Sequence, residues 1–192
     1  METLEAIANE IRAHKATPCQ SEPCATCTNL VPGEGNHNSD ILIVGEAPGK
    51  SEDLSGRPFI GQAGKLLDEL IASIELTRDD VFITNIVKAR PPENRDPTAA
   101  EVQHHRPWLD RQIAVIQPKL IVPLGRHAMH RFFPQLKIGE AHGQLQLLDG
   151  RAYLPLYHPA AALYNRSLMP TLAADFAKIP LLLQEQRTAA SS

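Results

Sequence analysis

The sequence predicts an α/β fold, a three-layer α/β/α sandwich around a central, mainly parallel four-stranded sheet. Three observations carry that expectation. Short apolar or β-branched runs recur at 41–44 (ILIV), 81–85 (VFITN), 120–124 (LIVPL) and 152–157 (AYLPLY). Stretches with helical period lie between them, and strands that alternate with helices form a parallel sheet covered on both faces. Three of the four runs also lead straight into unusual polar or glycine-containing segments, Gly45–Gly49, Asn85–Arg95 and His158–Ala161. Ligands of such sheets sit at the carboxyl ends of the strands, so these segments should share one mouth.

The elements follow in order. The opening METLEAIANEIRAHK is an amphipathic, mixed-charge helix with no secretory apolar core. A segment holding Cys19, Cys24 and Cys27 comes next, then the first strand. No helical period is visible after Gly49 until about Gln62, where Leu66, Leu67, Leu70, Ile71 and Ile74 mark one helix face. Thr98-Ala-Ala-Glu101 is a capping box directly after Pro97, so a second long helix begins near Ala99, with Val102, Leu109, Ile113 and Ile116 on its inner face. Asp149-Gly150 is a two-residue hairpin signal whose first arm, QLQLL, would be an edge strand or flap. Thr171–Gln186 reads as a closing helix broken or kinked at Pro180, and the tail 187–192 reads as frayed.

The chain has 192 residues and 43% apolar content, which suits one domain over 1–192, with 1–40 as an N-terminal helix and cysteine-rich segment. A net charge of -3 excludes a generally basic polymer binder while leaving room for a local cationic patch. No run reaches the roughly 18 apolar residues of a membrane span, so the expectation is a cytoplasmic protein with no membrane partner. Three cysteines within nine residues point to metal or cluster ligation rather than to disulfides.

GEAPGKS at 45–51 imitates a phosphate-binding loop, but its spacing fails. With Gly49-Lys50-Ser51 as anchor the first glycine should be residue 44, which is Val44, and Pro48 removes an N–H from the nest. No nucleotide cofactor is expected.

GEAPGKSED, GRPFIGQAG, TNIVKARPPENRDP, the Leu-Gly at 124–125 and HPAAAL at 158–163 occur in an order that resembles the uracil-DNA glycosylase superfamily. The similarity is greatest to its iron-sulfur family-four type and runs from about Ile41 to Leu183. The resemblance implies a DNA-repair hydrolase, working as a monomer, that extrudes a uracil nucleotide from DNA into a tight pocket. Gly45 and Ala47 would wall that pocket, Phe59 would stack on the base, and Asn85 would read N3–H and O4 of uracil. His158 matches the histidine that reaches uracil O2, where a donor counts most in the transition state. Ala47 stands where other branches carry Asp or Asn, which leaves Glu46 and Glu52 to orient water or stabilise the sugar cation. Lys88, Arg90, Arg95 and Arg166 would meet phosphates, and Leu163 or Tyr164 would wedge into the vacated stack. His127 and His130 read as surface or structural histidines.

Relatives of this type hold a [4Fe-4S] cluster on four cysteines. Here Cys24-Ala-Thr-Cys27 supplies the pair, but the other two positions are Ala89 and His105. Cys19, Cys24, Cys27 and His105, or His104 in its place, would form a Cys3His set for a cluster or for zinc. The competing readings are excision of another deaminated or modified base, a non-catalytic metal-supported module that contacts DNA or protein, and, third, a nucleotide-dependent ATPase.

Overall fold

The computed structural model describes residues 2–14 and 28–189. In chain order the elements are α1 (Leu4–Ala13), β1 (Glu34–Gly35), β2 (Ile41–Gly45), α2 (Lys50–Ser55), α3 (Gln62–Ser73), β3 (Phe82–Asn85), α4 (Ala99–Ile116), β4 (Leu120–Pro123), α5 (Gly125–His130), α6 (Ile138–Ala141), β5 (Gln146–Leu148), β6 (Arg151–Tyr153), α7 (Pro159–Tyr164), α8 (Met169–Phe176) and α9 (Lys178–Ala189).

The sheet has the order β1-β3-β2-β4-β6-β5. Its four inner strands are parallel, and β1 and β5 extend it with antiparallel edges, so it has six strands and is mixed. Alternate residues of each strand serve opposite layers. Ile41, Ile43, Ile83, Leu120, Val122 and Ala152 pack with α3, α7, α8 and α9. Leu42, Val44, Phe82, Ile121 and Tyr153 pack with α1, α4 and α5. Burial on both faces is why these runs are apolar throughout rather than alternating.

Connections set the site. From β2 the chain returns to β3 on one side through α3, and from β3 it crosses behind β2 to β4 through α4, which leaves a cleft at the ends of these strands. In register Gly45 lies beside Asn85, while Leu124 bridges Leu156 just before His158.

The capping box at Thr98 is present: its hydroxyl accepts the Glu101 N–H at 3.2 Å, and Glu101 accepts the Thr98 N–H at 2.7 Å. Asp149 and Gly150 take φ of 50° and 74°, as the tight hairpin turn requires. Three details depart from the sequence expectation. The stretch after Gly49 forms a helix, α2, too short at six residues to show a period. The closing segment is two helices that break at Ala177, and Pro180 sits in the first turn of α9, where a missing N–H costs least. Residues 187–189 continue α9 rather than fraying.

Candidate active site

The loop after β2 begins with a position that only glycine fits. A Cβ on Gly45 would lie 2.3 Å from Asn85 Oδ1 and 2.5 Å from Phe59 Cζ. Its absence lets the carboxamide at the end of β3 and the aromatic ring from the α2–α3 loop meet over the main chain. Asn85 is buried, and its Oδ1 has no hydrogen-bond partner among the described residues. A buried acceptor left unpaired costs about 1–3 kcal/mol, so its retention marks a group kept for a ligand.

Phe59 is held with force. Its φ is 51°, a left-handed conformation that costs a non-glycine residue roughly 1–2 kcal/mol. Arg78 donates to the carbonyls of Pro58 at 2.7 Å and Phe59 at 2.9 Å, and its guanidinium is fixed by Glu34 and Asp68. Glu52 closes the same loop: its carboxylate accepts the N–H groups of Gly49, Ile60 and Gly61 at 3.1, 2.9 and 2.8 Å. Gly64 of α3 lets the chain pass, since a Cβ there would fall 1.8 Å from the Phe59 carbonyl oxygen.

His158 caps α7. Its Nδ1 accepts the Ala160 N–H at 3.1 Å, which leaves the ring proton on Nε2. Burial pulls its pKa down to about 4 against a weaker opposite pull from Glu52. Part of the ring stays open to the cavity, and the imidazole is a neutral Nε2–H donor near pH 7. Its ring lies 5.6 Å from that of Phe59, tilted by 29°. Gly125, at φ 84°, makes room for the His158 Cβ, 3.0 Å from where its own would be.

These groups line a cavity of about 270 Å³ together with Ala47, Gly49, Glu52, Ala63 and Asn94. The volume falls just under the roughly 300–1,000 Å³ of drug-sized sites, which suits a single heterocycle. A second depression of about 340 Å³ continues past Ala47, Gly49, Asn94 and His158 to Glu46, Pro91 and Arg95. Glu46 is half-buried there. Burial raises its pKa, His127 opposes the rise, Asp96 adds to it and Arg126 opposes it. The donor atoms of Glu46, Asp96 and His127 lie within 4.8 Å of one another.

Several sequence expectations change in this setting. Lys88 has no exposed surface, and its Nζ bonds to Thr84 Oγ1, the Asn85 carbonyl and Gln112 Oε1, so it cannot touch a phosphate. Glu52 lines the cavity and accepts three backbone N–H groups, so its carboxylate positions the Phe59 loop. Arg95 forms a two-pronged pair with the buried Glu101, at 2.9 Å on each arm, and so braces its own loop. Arg90 donates to Asn94 at 2.7 Å. Arg166 is exposed, as are Leu163 and, at 96%, Tyr164. His127, read as a surface or structural histidine, lies beside Glu46. Arg78 was not singled out in the sequence, because nothing local ties it to Phe59, and the motif glycines Gly64 and Gly125 carried no assigned role there.

Cys19, Cys24 and Cys27 lie outside the described residues. His105 lies within them, on the inner face of α4 and only 1% exposed. Burial, with His104 and Lys88 adding to it, pulls its pKa down to about 3, and neither ring nitrogen has a hydrogen-bond partner among the described residues. An imidazole in that condition fits a metal ligand, which needs the neutral ring and a free lone pair. Ala89 is buried and offers no donor atom.

The sequence pattern of the uracil DNA glycosylase superfamily matches residues 32–179. A type-4 uracil-DNA glycosylase of Sulfurisphaera tokodaii is 46% identical over 93% of this chain and 84% of its own length. A second type-4 protein, from Archaeoglobus fulgidus, is 43% identical over 93% of this chain and 92% of its own length. A type-5 uracil-DNA glycosylase of Pyrobaculum aerophilum is 32% identical over 74% of this chain and 72% of its own. With this likeness running through the cavity-forming segments and almost the whole chain, the protein belongs to the uracil DNA glycosylase superfamily.

Proposed function

We infer that this protein is a uracil-DNA glycosylase, a repair hydrolase that cuts the N-glycosidic bond of uracil in DNA and leaves an abasic site. The unpaired carboxamide of Asn85, facing a cavity shared with Phe59 and a neutral His158, carries the inference. A flipped uracil offers N3–H to Asn85 Oδ1 and takes the amide N–H on O4, while cytosine presents the reverse pattern and leaves both ends unpaired. Phe59 supplies the stacking face.

As C1′–N1 breaks, negative charge gathers on the uracil and positive charge on the sugar. The Nε2–H of His158 donates to O2, a bond that strengthens as the oxygen gains charge, and a donor of this sort is worth about 3 kcal/mol. With Glu52 committed to the backbone, Glu46 is the carboxylate left to orient water toward C1′. Its partners His127, Asp96 and Arg126 set its charge. Arg90 and Arg166 contact phosphates, and the exposed Tyr164, with Leu163 beside it, fills the gap in the stack.

Cys19, Cys24 and Cys27 together with His105 would hold a metal centre, an iron-sulfur cluster or zinc, which would supply a structural cross-link; the chemistry at C1′ belongs to the cavity residues. The chain acts on DNA as a monomer.

An oligonucleotide panel bearing uracil, hypoxanthine, xanthine or hydroxymethyluracil, incubated with protein and then treated with alkali, tests the reading. Cleavage at uracil, abolished in Asn85→Ala, is expected. Absence of an abasic product, or an Asn85→Ala variant at full rate, refutes it.

A further inference from the structure

Beneath the base-reading residue lies a cation to which no step above gives a role. Lys88 is fully buried between β3 and α4. Its Nζ stands 2.6 Å from Thr84 Oγ1, 2.8 Å from the Asn85 carbonyl oxygen and 2.7 Å from Gln112 Oε1. All three are acceptors toward it, because the Thr84 hydroxyl and the Gln112 amide N–H both donate to the Pro32 carbonyl, at 2.9 and 2.7 Å. Three acceptors around one nitrogen call for three protons, which only the ammonium has. Burial pulls the lysine down to about 7, while hydrogen bonds to the charged form favour the ammonium.

No carboxylate forms an ion pair with Lys88 among the described residues. A buried charge without a counter-ion is costly, and three neutral acceptors offset that cost only in part. The cost is understandable where the charge meets something that becomes negative. Lys88 is bonded to the main chain of the residue whose side chain lines the cavity, so its charge sits beneath the floor in a medium that screens weakly.

We propose that Lys88 is a positioning residue for glycosidic cleavage: it fixes Asn85 through its carbonyl and sets a positive charge under the departing base. The inference rests on the uracil-excising reading above. When C1′–N1 breaks, the bonding pair stays on N1 and spreads to O2 and O4. The ammonium keeps its protons throughout and lowers the energy of that anion more than that of the neutral nucleotide.

The test varies the leaving group. Fluorine at C5 withdraws electrons, so 5-fluorouracil departs as an anion that needs less help. Lys88→Met should slow single-turnover excision of uracil about 10- to 100-fold, below the full effect of a donor touching the oxyanion. It should slow 5-fluorouracil markedly less and leave the DNA concentration for half-saturation almost unchanged. Gln112→Glu keeps the side-chain volume and places a neutralising charge beside Nζ, so it should reproduce the selective loss even if Lys88→Met folds poorly. Thr84→Val keeps the charge while removing one acceptor; it should lower the melting temperature yet retain the wild-type ratio between the two bases. Equal losses on both bases, or none, in the Lys88→Met and Gln112→Glu variants overturn the proposal. A wild-type protein that releases neither base overturns the underlying reading instead.

Discussion

Adding one methyl group at Gly45 should disable the site while leaving the fold in place. In Gly45→Ala the new carbon would stand 2.3 Å from Asn85 Oδ1 and 2.5 and 2.6 Å from two carbons of the Phe59 ring. Ordinary contact needs about 3.5 Å, so the carboxamide and the ring must each retreat by roughly 1 Å. The ring has little slack, because Phe59 is fixed through its carbonyl by Arg78 and through its neighbours by Glu52. A misplacement of about 1 Å costs on the order of 100-fold in rate, and overpacking of this kind costs about 1–3 kcal/mol of stability. Single-turnover excision from a uracil-containing oligonucleotide reads the first quantity, and thermal unfolding reads the second. Gly139→Ala is the control, since a methyl there meets only the Tyr157 hydroxyl at 3.9 Å. A Gly45→Ala protein that excises within about threefold of wild type would refute the geometry on which the pocket rests.

Other outcomes follow from the same contacts. Because His158 acts as a neutral ring held near pKa 4 while burial raises Glu46, the excision rate of a Glu46→Gln protein, which lacks that second titrating group, should stay level as pH falls through 6.5; an inflection near 6.5 in that variant would contradict this. The same depressed value means that the stability contributed by the neutral ring is complete above about 6.5 and is lost as pH falls toward 4, which acid titration of the melting temperature measures. Arg78→Ala should lower excision about tenfold or more by releasing Phe59, yet add little in a Phe59→Ala background; additive losses in the double-mutant cycle would show that Arg78 acts elsewhere. Metal analysis should find iron and sulfide, with a brown protein, or colourless protein with zinc. His105→Ala should reduce the metal content, and an undiminished content would remove His105 from the ligand set.

Much of this arrangement was legible in the sequence because its signals are local. Apolar runs of four or five residues interrupted by helical periods define the layers, and Thr98–Glu101 and Asp149-Gly150 mark their own boundaries. Phe59, Asn85 and His158 could be named from ordered motifs, and they line one cavity. Lys88 was misjudged because lysine is almost never fully buried, and only the acceptors brought by Thr84, Gln112 and the Asn85 carbonyl make its place tenable. Glu52 looked like a free loop charge until α2 turned it toward three N–H groups eight and nine residues ahead and three behind. Arg78 acts on residues about twenty positions earlier, and no period or cap announces such a contact. The two edge strands escaped notice or remained ambiguous because two or three residues are too few to show alternation.

The Asp149-Gly150 turn has a practical consequence. It stands where β6 begins, at the opposite end of the sheet from the strand termini that form the cavity, and a side chain at Gly150 would meet nothing within 4 Å. A fluorophore, an affinity handle or a short peptide grafted at this bend would report on the protein or tether it to a surface without standing between the nucleic acid and the pocket.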